Sequence, residues 1–465
     1  MTAGFDGLTF RDLDEAIAHC RPVLEKMRGA HLFITGGTGF FGRWLLALLA
    51  RAHGDYSIRV TALSRDPIRF ATICPDLAGH PAIAIARGDV RYFEFPKGRF
   101  THVIHAATDT SVAADADPTT LTDSIVSGTA RVLEFAESAD IRRLLYVSSG
   151  AVYGPQPKEI EHLPEDYRGA PDPLDPRSAY GQAKRLAEQL CACAAGRSCL
   201  RPVIARAFAF VGPGLPLDGH FAIGNFIADA LNASEIVVSG DGTPLRSYLY
   251  AGDLAAWLLT LLVEGESGVA YNVGSDIALS ITDVAARVSG CCPVPPVVAI
   301  RGTPTPDAPR ARYVPSIVRA RALGLDVWTP LEQAIARTME FERRRPQKGH
   351  APGERNEHAQ DERLTFVVDV DGVVASLTPG NDYTLAEPLG ETISAVNALY
   401  EKGHRIVMFT ARGSATGIDW RKTTEDQFAR WGLRYHELHF GKPAADYYID
   451  DRLMPVTALK ALARA

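Results

Sequence analysis

Tyr180 and Lys184 are four residues apart in the segment YGQAK (residues 180–184). On a helix this spacing places both side chains on one face, so that the ammonium group lies near the phenol. A phenol is a poor base at neutral pH, and a neighbouring positive charge favours the phenolate. Ser149, at the end of a predicted strand, can hold a substrate hydroxyl against that phenolate. These three residues predict acid–base chemistry at a carbon that bears a hydroxyl group.

Glycines recur at three-residue spacing in the segment TGGTGFFG (35–42), which follows an apolar strand and begins a helix. Such a tight turn lets the backbone approach a pyrophosphate at a helix N-terminus. The segment therefore predicts a dinucleotide site whose contacts are Gly36, Gly39, Phe40, Phe41 and Gly42.

The end of the second predicted strand bears on the choice between NAD and NADP. Ser64 and Arg65 stand where an NAD site usually carries an acidic residue, and a guanidinium group can receive a 2′-phosphate. The pair favours NADP over NAD, although an ordinary exposed arginine after a strand would look the same. Asp89 and Val90 occupy the position expected to contact the adenine edge.

A second group of chemically capable residues follows the strands of the last hundred residues. Asp369 and Asp371 end an apolar strand, Thr410 ends the next one, and Lys442 and the pair Asp450–Asp451 come later. Carboxylates at the end of a buried strand are costly unless a cation neutralises them. The order predicts a Mg²⁺-dependent phosphoryl-transfer site in which Asp369 is the nucleophile and Asp371 the proton donor and acceptor.

The elements that position these residues alternate between strands and helices. Up to about residue 338 the pattern is that of repeated βαβ units, which predicts an α/β, doubly wound parallel sheet with a small substrate lobe. Residues 341–363 are rich in charge, Pro and Gly and are predicted to form a flexible linker. The alternation resumes at Leu364, so we expect domains at 1–340 and 364–465.

Composition and charge argue against several classes of function. The 465 residues carry a formal net charge of −6, which gives no support for binding nucleic acid or an anionic membrane surface. The N-terminus has no basic-then-apolar layout, and the seven cysteines make no paired zinc pattern or disulfide framework. We expect a cytoplasmic protein that acts on small molecules.

The first domain resembles the extended short-chain dehydrogenase/reductase family, most of whose members act on sugar nucleotides. The resemblance is carried by TGGTGFFG (35–42), VIHAAT (103–108), LLYVSSGAVYG (144–154), YGQAK (180–184), RSYLYAGD (246–253) and NVG (272–274). It implies a Rossmann-type fold and a homodimer formed through this domain. Tyr180 is then the acid/base, Lys184 grips the nicotinamide ribose and Ser149 orients the substrate. It adds Ala106 and Ala107 to the cofactor contacts, and Arg206 and Arg246 to the substrate contacts.

Departures from the family pattern reduce the number of reactions that this domain is expected to catalyse. Relatives that eliminate water carry an Asp-Glu pair after the catalytic Ser or Thr, and here those positions are Gly150 and Ala151. Decarboxylating relatives resemble one another in a glutamate that Ala151 also replaces. Neither residue can transfer a proton, so 4-epimerisation or 4-keto reduction remains. Ala209 replaces an asparagine that often touches substrate, and Asn225 is the candidate to compensate.

The last domain resembles the haloacid dehalogenase superfamily, and FTARGS (409–414) and YHELHFGKP (435–443) are similar to phosphatases encoded with capsule and surface-sugar pathways. The resemblance implies a second Rossmann-like domain that hydrolyses sugar phosphates. Thr410 and Lys442 would bind the phosphoryl group, and Asp369, Asp371, Asp450 and Asp451 would hold Mg²⁺. Two alternatives stay open: a non-catalytic second domain beside an active dehydrogenase, or an active phosphatase beside an idle dehydrogenase scaffold.

Overall fold

The computed structural model describes residues 4–108, 117–217, 221–232, 235–303, 310–344, 365–376, 378, 382–413, 416 and 418–441. The chain divides into two compact units, Met1–Pro352 and Gly353–Ala465. The division falls inside the segment 341–363 that composition marks as a linker.

The strands of the first unit are β1 (Gly4–Phe5), β2 (Leu8–Thr9), β3 (His31–Thr35), β4 (Arg59–Ser64), β5 (Ile83–Arg87), β6 (His102–His105), β7 (Arg143–Ser149), β8 (Arg201–Ala207), β9 (Phe210–Val211), β10 (Glu235–Val238), β11 (Leu245–Arg246), β12 (Leu249–Tyr250), β13 (Ala270–Val273), β14 (Leu279–Ser280), β15 (Val297–Ile300) and β16 (Arg312–Tyr313). Its helices are α1 (Phe10–Lys26), α2 (Phe40–Tyr56), α3 (Pro67–Ile73), α4 (Pro75–Ala78), α5 (Pro118–Ser138), α6 (Ala179–Arg197), α7 (Ala222–Asn232), α8 (Ala251–Glu264), α9 (Ile281–Gly290), α10 (Val318–Arg321) and α11 (Leu331–Arg344).

The main sheet of the first unit has seven strands within the described residues, in the order β13-β8-β7-β6-β3-β4-β5. Every pairing in it is parallel. This confirms the predicted α/β Rossmann-type sheet. The strand order reverses between β3 and β6, and a sheet of this kind binds its ligand in the crevice at the carboxyl ends of such strands.

Helices cover the sheet because their apolar residues repeat at helical spacing. In α2 most side chains are buried, among them Trp44 and the run from Leu45 to Leu49, and α8 is buried over nearly its whole length. Three small sheets lie outside the main one: β10-β15, β14-β11-β16 and β12-β9. They form the smaller lobe that the sequence predicts for substrate binding.

The second unit contains β17 (Thr365–Asp369), α12 (Gly390–Glu401), β18 (Arg405–Thr410), α13 (Arg421–Trp431) and β19 (Glu437–Phe440). Its strands pair in parallel in the order β17-β18-β19 within the described residues. The core between strands and helices contains Val370, Val396, Ile406, Met408 and Phe428. The strand predicted at residues 447–449 lies outside the described residues.

The end of the first unit differs slightly from the predicted boundary. Helix α11 continues to Arg344, so residues 341–344 are helical and not linker. The reason is amphipathic spacing: Ala334, Ile335, Thr338 and Met339 are buried on one face, and Phe341 extends that face with 7% exposure.

A buried ion pair joins this last helix to the first. Arg337 on α11 donates to Asp12 on α1 at 2.7 Å and pairs with Glu15 at 2.7 Å. The side chains of Arg337 and Asp12 are only 11% and 6% exposed. The pair therefore connects the two ends of the first unit in a site that water barely reaches.

Replacing Arg337 with Met should lower the free energy of unfolding of the first unit by about 3 kcal/mol, because it leaves the buried Asp12 carboxylate without its partner. Urea unfolding followed by tryptophan fluorescence measures this change. Arg11→Met is the matched control, since Arg11 pairs with the same Glu15 but is 69% exposed. That variant should lose less than about 1 kcal/mol. Equal losses from the two variants would contradict the assignment.

Candidate active sites

The glycine turn after β3 is packed too closely for any side chain. Gly36 has φ +72°, and a β-carbon there would lie 2.5 Å from the carbonyl oxygen of Ala106 and 2.7 Å from the nitrogen of Ala107. A β-carbon at Gly42 would lie 2.3 Å from the carbonyl oxygen of Gly36. The turn therefore brings the start of α2 against the crevice between β3 and β6.

Helix α2 begins at Phe40 with Gly39 as its N-cap, and no side chain in the described part of the chain caps it. The first N–H groups of a helix have no partner within the helix, and they carry its positive dipole end. A pyrophosphate can accept hydrogen bonds from these N–H groups, and its negative charge is attracted to the positive end of the dipole. The residues that the sequence assigns to the dinucleotide thus form a cradle that fits NAD.

A chain of hydrogen bonds below the turn holds the crevice together. Nδ1 of His105 lies 2.7 Å from the Thr35 hydroxyl, and Nε2 lies 3.0 Å from the Thr129 hydroxyl. Thr35 also accepts a hydrogen bond from the N–H of Ala107 at 3.2 Å. Burial, aided by the charge of Lys184, lowers the pKa of His105 to about 3, so the ring is neutral and acts as a structural bridge.

The residues predicted to contact the ribose and the adenine of the dinucleotide lie at or just after the ends of β4 and β5. Ser64 is buried, and its hydroxyl accepts a hydrogen bond from the N–H of Asp66 at 3.2 Å, whereas Arg65 is exposed. Asp89 receives two side-chain bonds from Arg91, at 2.8 and 3.1 Å, and these hold the pKa of its carboxyl below the usual range. Val90 is buried, next to Gly128 on α5.

Tyr180 and Lys184 lie on α6 as predicted, one turn apart. The Lys184 ammonium is 5.9 Å from the centroid of the Tyr180 ring. It donates to the Thr108 hydroxyl at 2.7 Å and to the carbonyl of Val147 at 2.8 Å. Burial lowers the pKa of Lys184 to about 7, against the opposing charge of Glu188. The ammonium is therefore held at a fixed position by strand β7 and the segment after β6.

Ser149 is the last residue of β7 and is 7% exposed. Its hydroxyl accepts a hydrogen bond from the N–H of Ala151 at 3.1 Å. The next residue, Gly150, has no room for a side chain: a β-carbon there would lie 2.5 Å from the hydroxyl of Tyr313 and 2.8 Å from the ring of Phe208. Two aromatic residues therefore occupy the space beside the serine.

Arg206, which the resemblance assigns to the substrate, takes part in an internal ion pair. Its guanidinium group donates to the Glu188 carboxylate at 2.7 and 3.0 Å and to the carbonyl of Glu165 at 3.2 Å. Glu188 also accepts a bond from Ser148 at 2.6 Å. This network lies below the Ser149 and Lys184 pair and stabilises strands β7 and β8 against α6.

The other two predicted substrate contacts lie in the small lobe. Arg246 ends β11 and pairs in the ladder with Tyr313 of β16. The Tyr313 hydroxyl in turn lies beside Gly150, the residue after Ser149. Asn225 is exposed on α7.

In the second unit, Asp369 and Thr410 end the neighbouring parallel strands β17 and β18. Asp369 accepts a hydrogen bond from the N–H of Val370 at 2.8 Å. Thr410 is fully buried, and its hydroxyl accepts from the N–H of Arg412 at 3.1 Å. The predicted nucleophile and phosphoryl contact therefore share one edge of the sheet.

Asp371 is held by an arginine that sequence analysis overlooked. Arg412, whose side chain is fully buried, donates to both oxygens of the Asp371 carboxylate at 2.7 to 3.1 Å. Its remaining donors reach Thr424 at 3.1 Å and Gln427 at 2.7 Å, and it lies 4.8 Å from the centroid of the Tyr383 ring. The carboxylate is thereby fixed beside the end of β17.

Three members of the predicted phosphoryl-transfer site, Lys442, Asp450 and Asp451, lie outside the described residues. In the part of the chain that the structure describes, no cluster of three or more His, Cys, Asp or Glu residues could hold a metal ion. No helix in that part is long and apolar enough to cross a membrane.

Several residues around the two sites were given no role from the sequence. Thr108 ends the segment VIHAAT (103–108), Arg412 lies within FTARGS (409–414), and Glu188 comes one helical turn after Lys184, so their positions were a usable clue. Tyr313 and Phe208 had none, because they reach Gly150 from the small lobe and from the end of β8. Only packing reveals them.

Comparison with known proteins concerns the first unit. The model of the NAD dependent epimerase/dehydratase family matches residues 32–274. UDP-glucuronic acid decarboxylase 5 from Arabidopsis thaliana is 30% identical over 305 residues, which are 64% of this chain and 84% of that protein. The low-salt glycan biosynthesis protein Agl12 from Haloferax volcanii is 30% identical over 268 residues, which are 55% of this chain and 81% of that protein.

Solved structures of nucleotide-sugar enzymes also resemble this chain over about two thirds of its length. MoeE5 in complex with UDP-glucuronic acid and NAD superimposes with a TM-score of 0.56 and 25% identity, covering 68% of this chain and 99% of MoeE5. A UDP-glucose 4-epimerase from Thermotoga maritima with UDP-glucose has a TM-score of 0.56 and 22% identity, covering 67% of this chain and 98% of the epimerase. The latter similarity shows the fold alone.

The glycine cradle can be tested with a matched pair of substitutions in α2. Gly42→Ala should weaken NAD binding about 10- to 100-fold, because its β-carbon collides with backbone atoms that cannot move aside. Gly54→Ala lies in the same helix with no atom within 4 Å of the added carbon, and it should leave the affinity unchanged. Isothermal titration with NAD measures both. Normal NAD affinity in Gly42→Ala would contradict the cradle.

Proposed function

The chain belongs to the NAD-dependent epimerase/dehydratase family, and from that premise we propose that its first unit acts at C4 of a nucleotide-bound sugar, as a 4-epimerase or a 4-keto reductase. The observation that carries the proposal is that Lys184, one helical turn from Tyr180, donates to the carbonyl of Val147, two residues before Ser149 on β7. The relatives whose names include UDP-glucuronic acid and UDP-glucose support a nucleotide sugar as the substrate class.

NAD, when bound, supplies a hydride acceptor and donor at the sugar carbon. The residues of the chain manage the proton on the attached oxygen. Tyr180 takes that proton, and the Lys184 charge, 5.9 Å from the ring centroid, favours the phenolate that does so. Ser149 binds the same oxygen, and Thr108 and Val147 keep Lys184 in place.

The proposed reaction follows from the side chains at the two positions after Ser149, which carry no proton-transfer group. Elimination of water or glutamate-dependent decarboxylation needs a second proton-transfer group, which Gly150 and Ala151 lack. The aromatic packing against Gly150 supports this for the Asp of the dehydratase pair, because a carboxylate side chain there would collide with Tyr313 and Phe208. For the decarboxylases the argument rests on Ala151, which replaces their glutamate. This chain would thus differ in reaction from the decarboxylases that it resembles.

For the rest of the substrate, Arg246 is the proposed diphosphate contact, since it lies across the ladder from Tyr313. Arg206 is not proposed as a contact, because Glu188 already binds its guanidinium group. Asn225 stays a prediction from the sequence. NAD is the expected cofactor. The preference for NADP stays a prediction from Ser64 and Arg65, and the Ser64 hydroxyl accepts a hydrogen bond from the N–H of Asp66.

A second activity, Mg²⁺-dependent hydrolysis of a sugar phosphate by the second unit, is proposed on its own residues. It is supported by Asp369 and Thr410 at the ends of adjacent parallel strands and by the orientation that Arg412 imposes on Asp371. Asp369 would attack phosphorus and Asp371 would transfer the proton. Lys442, Asp450 and Asp451 complete the proposed site in sequence. The homodimer through the first unit also stays a prediction.

The first activity is tested with UDP-glucose and UDP-glucuronic acid in the presence of NAD, with products separated by chromatography. Tyr180→Phe should slow turnover by about two to four orders of magnitude, because the proton acceptor is lost. Tyr92→Phe, 67% exposed on the surface, should keep the wild-type rate. Mass spectrometry of the co-purified cofactor separates an epimerase, which retains NAD, from a reductase that exchanges it. Equal rates in the two variants would exclude the mechanism.

The second activity is tested with p-nitrophenyl phosphate. Asp369→Asn should reduce Mg²⁺-dependent phosphate release by about three orders of magnitude or more, because the nucleophile is removed. EDTA should have the same effect on the wild-type protein. Asp426→Asn, an exposed acid on α13, is the control and should keep full activity. Absence of Mg²⁺-dependent hydrolysis in the wild type would favour a binding or assembly role for the second unit.

A further inference from the structure

The ring of Tyr146 on β7 forms one wall of the space around the Lys184 ammonium. The ammonium lies over that ring, 5.0 Å from its centroid, whereas it is 5.9 Å from the centroid of the Tyr180 ring. A positive charge over the face of an aromatic ring, within about 6 Å of the centroid, is attracted by the ring electrons. Lys184 therefore makes a closer cation–π contact with Tyr146 than with Tyr180.

The packing of helix α6 on the sheet imposes this contact. Tyr146 and Ser148 are alternate residues of β7, so their side chains leave the same face of the sheet. Helix α6 covers that face, because Ser148 donates to Glu188 at 2.6 Å and Tyr146 shares a core with Ala183 and Ala187. Tyr146 is only 1% exposed. The contact is thus buried, where a cation–π interaction is stronger than at a surface.

Modest contributions decide the charge state of Lys184, because its amine is buried. The ammonium donates to two neutral oxygens, the Thr108 hydroxyl and the Val147 carbonyl. Burial lowers the pKa of Lys184 to about 7, so the charged and neutral forms of the amine have similar free energies at neutral pH. An additional attraction for the ammonium then determines which form predominates.

Titratable groups surround Lys184 from every element packed against it: Tyr180, Glu188 and Cys191 on α6, Tyr146 on β7, His105 on β6, and Arg206 on β8 through its ion pair with Glu188. Burial keeps three of them uncharged at neutral pH, because it lowers the pKa of His105 to about 3, raises that of Cys191 to about 12 and raises that of Tyr146 well above its usual value. Glu188 favours the ammonium, but Arg206 partly neutralises its charge. The Tyr146 ring therefore adds an attraction that this carboxylate does not fully supply.

We propose that Tyr146 is a positioning residue of the oxidoreductase site: the face of its ring stabilises the Lys184 ammonium and so maintains the positive charge that favours the Tyr180 phenolate. The catalytic consequence rests on the proposed function of the first unit, whereas the contact itself is a property of the fold. The role requires the aromatic face of Tyr146 and not its hydroxyl.

Three replacements at Tyr146 separate the ring electrons from the shape of the ring and from its hydroxyl. Tyr146→Leu removes the aromatic face, so the alkaline limb of the pH–kcat profile for UDP-glucose and UDP-glucuronic acid should move to lower pH by about one unit. At neutral pH kcat should fall roughly three- to tenfold, with KM changed less than about twofold. Pentafluorophenylalanine at the same position keeps the ring shape but withdraws electrons from its face, and it should act like Leu. Tyr146→Phe keeps the aromatic face and should retain the wild-type profile.

Phe135→Leu is the matched control for loss of a buried ring. Phe135 lies in the same core as Tyr146 and packs against Phe33, with ring centroids 4.8 Å apart. Its replacement should lower stability but leave the pH–kcat profile unchanged. A wild-type profile in both Tyr146→Leu and the pentafluorophenylalanine variant overturns the proposal, and so does a Tyr146→Phe profile that matches that of Leu.

Urea unfolding as a function of pH follows the charge of Lys184 without turnover. An amine whose pKa is lower in the folded than in the unfolded chain takes up protons on unfolding, so the free energy of unfolding rises with pH between those two pKa values. This rise should begin about one pH unit lower in Tyr146→Leu than in Tyr146→Phe. In the Lys184→Met background the two variants should differ by the same amount at every pH.

The two experiments distinguish failure of the contact from failure of the proposed function. Identical pH dependence of unfolding in Tyr146→Leu and Tyr146→Phe, with Lys184 present, overturns the contact whatever the enzyme does. A wild-type protein that converts neither UDP-sugar contradicts the proposed function, and with it the catalytic consequence, while the unfolding experiment still tests the contact.

Discussion

The close approach of backbone at the glycine turn is the constraint on which the first unit depends. Gly36 lies against Ala106 and Ala107, and Gly42 lies against Gly36, so the start of α2 and the ends of β3 and β6 share a space that would not admit a single methyl group. This contact puts the free N–H groups of a helix beside the reversal of the sheet. The hydrogen bonds from Thr35 through His105 to Thr129 hold the same strands in register below it.

Buried charged side chains have different partners in the two units. In the first, the buried Lys184 ammonium donates to two neutral oxygens among the described residues, the Thr108 hydroxyl and the Val147 carbonyl. Glu188, one turn further along α6, is already neutralised by Arg206. In the second unit Arg412 and Asp371 neutralise each other directly, and Thr424 and Gln427 accept the remaining Arg412 hydrogen bonds, which helps to offset the desolvation of the buried guanidinium group.

The side chains that hold the first unit together are distinct from the proposed catalytic set. Arg206 of β8 and Glu188 of α6 form an ion pair, and Ser148 of β7 donates to the same carboxylate. Tyr313 and Phe208 occupy the space beside Gly150. The role of Arg206 as a substrate contact stays a prediction from the resemblance, because a motif records residue identity, whereas the structure gives the partner of its side chain, Glu188.

The sequence alone was sufficient for features encoded at short range. Strand and helix periodicity predicted five of the seven parallel strands of the main sheet, glycine spacing located the tight turn at the start of α2, and the four-residue step placed Tyr180 one helical turn from Lys184. Helices and strands can be predicted from the sequence because their geometry repeats every few residues and the apolar side chains follow the same period. Contacts between distant segments are different: Tyr313 beside Gly150, Arg206 with Glu188 and Arg412 with Asp371 depend on how whole elements pack. Only the tertiary structure decided them, because side-chain partners across an interface follow from shape and burial, which have no period in the chain.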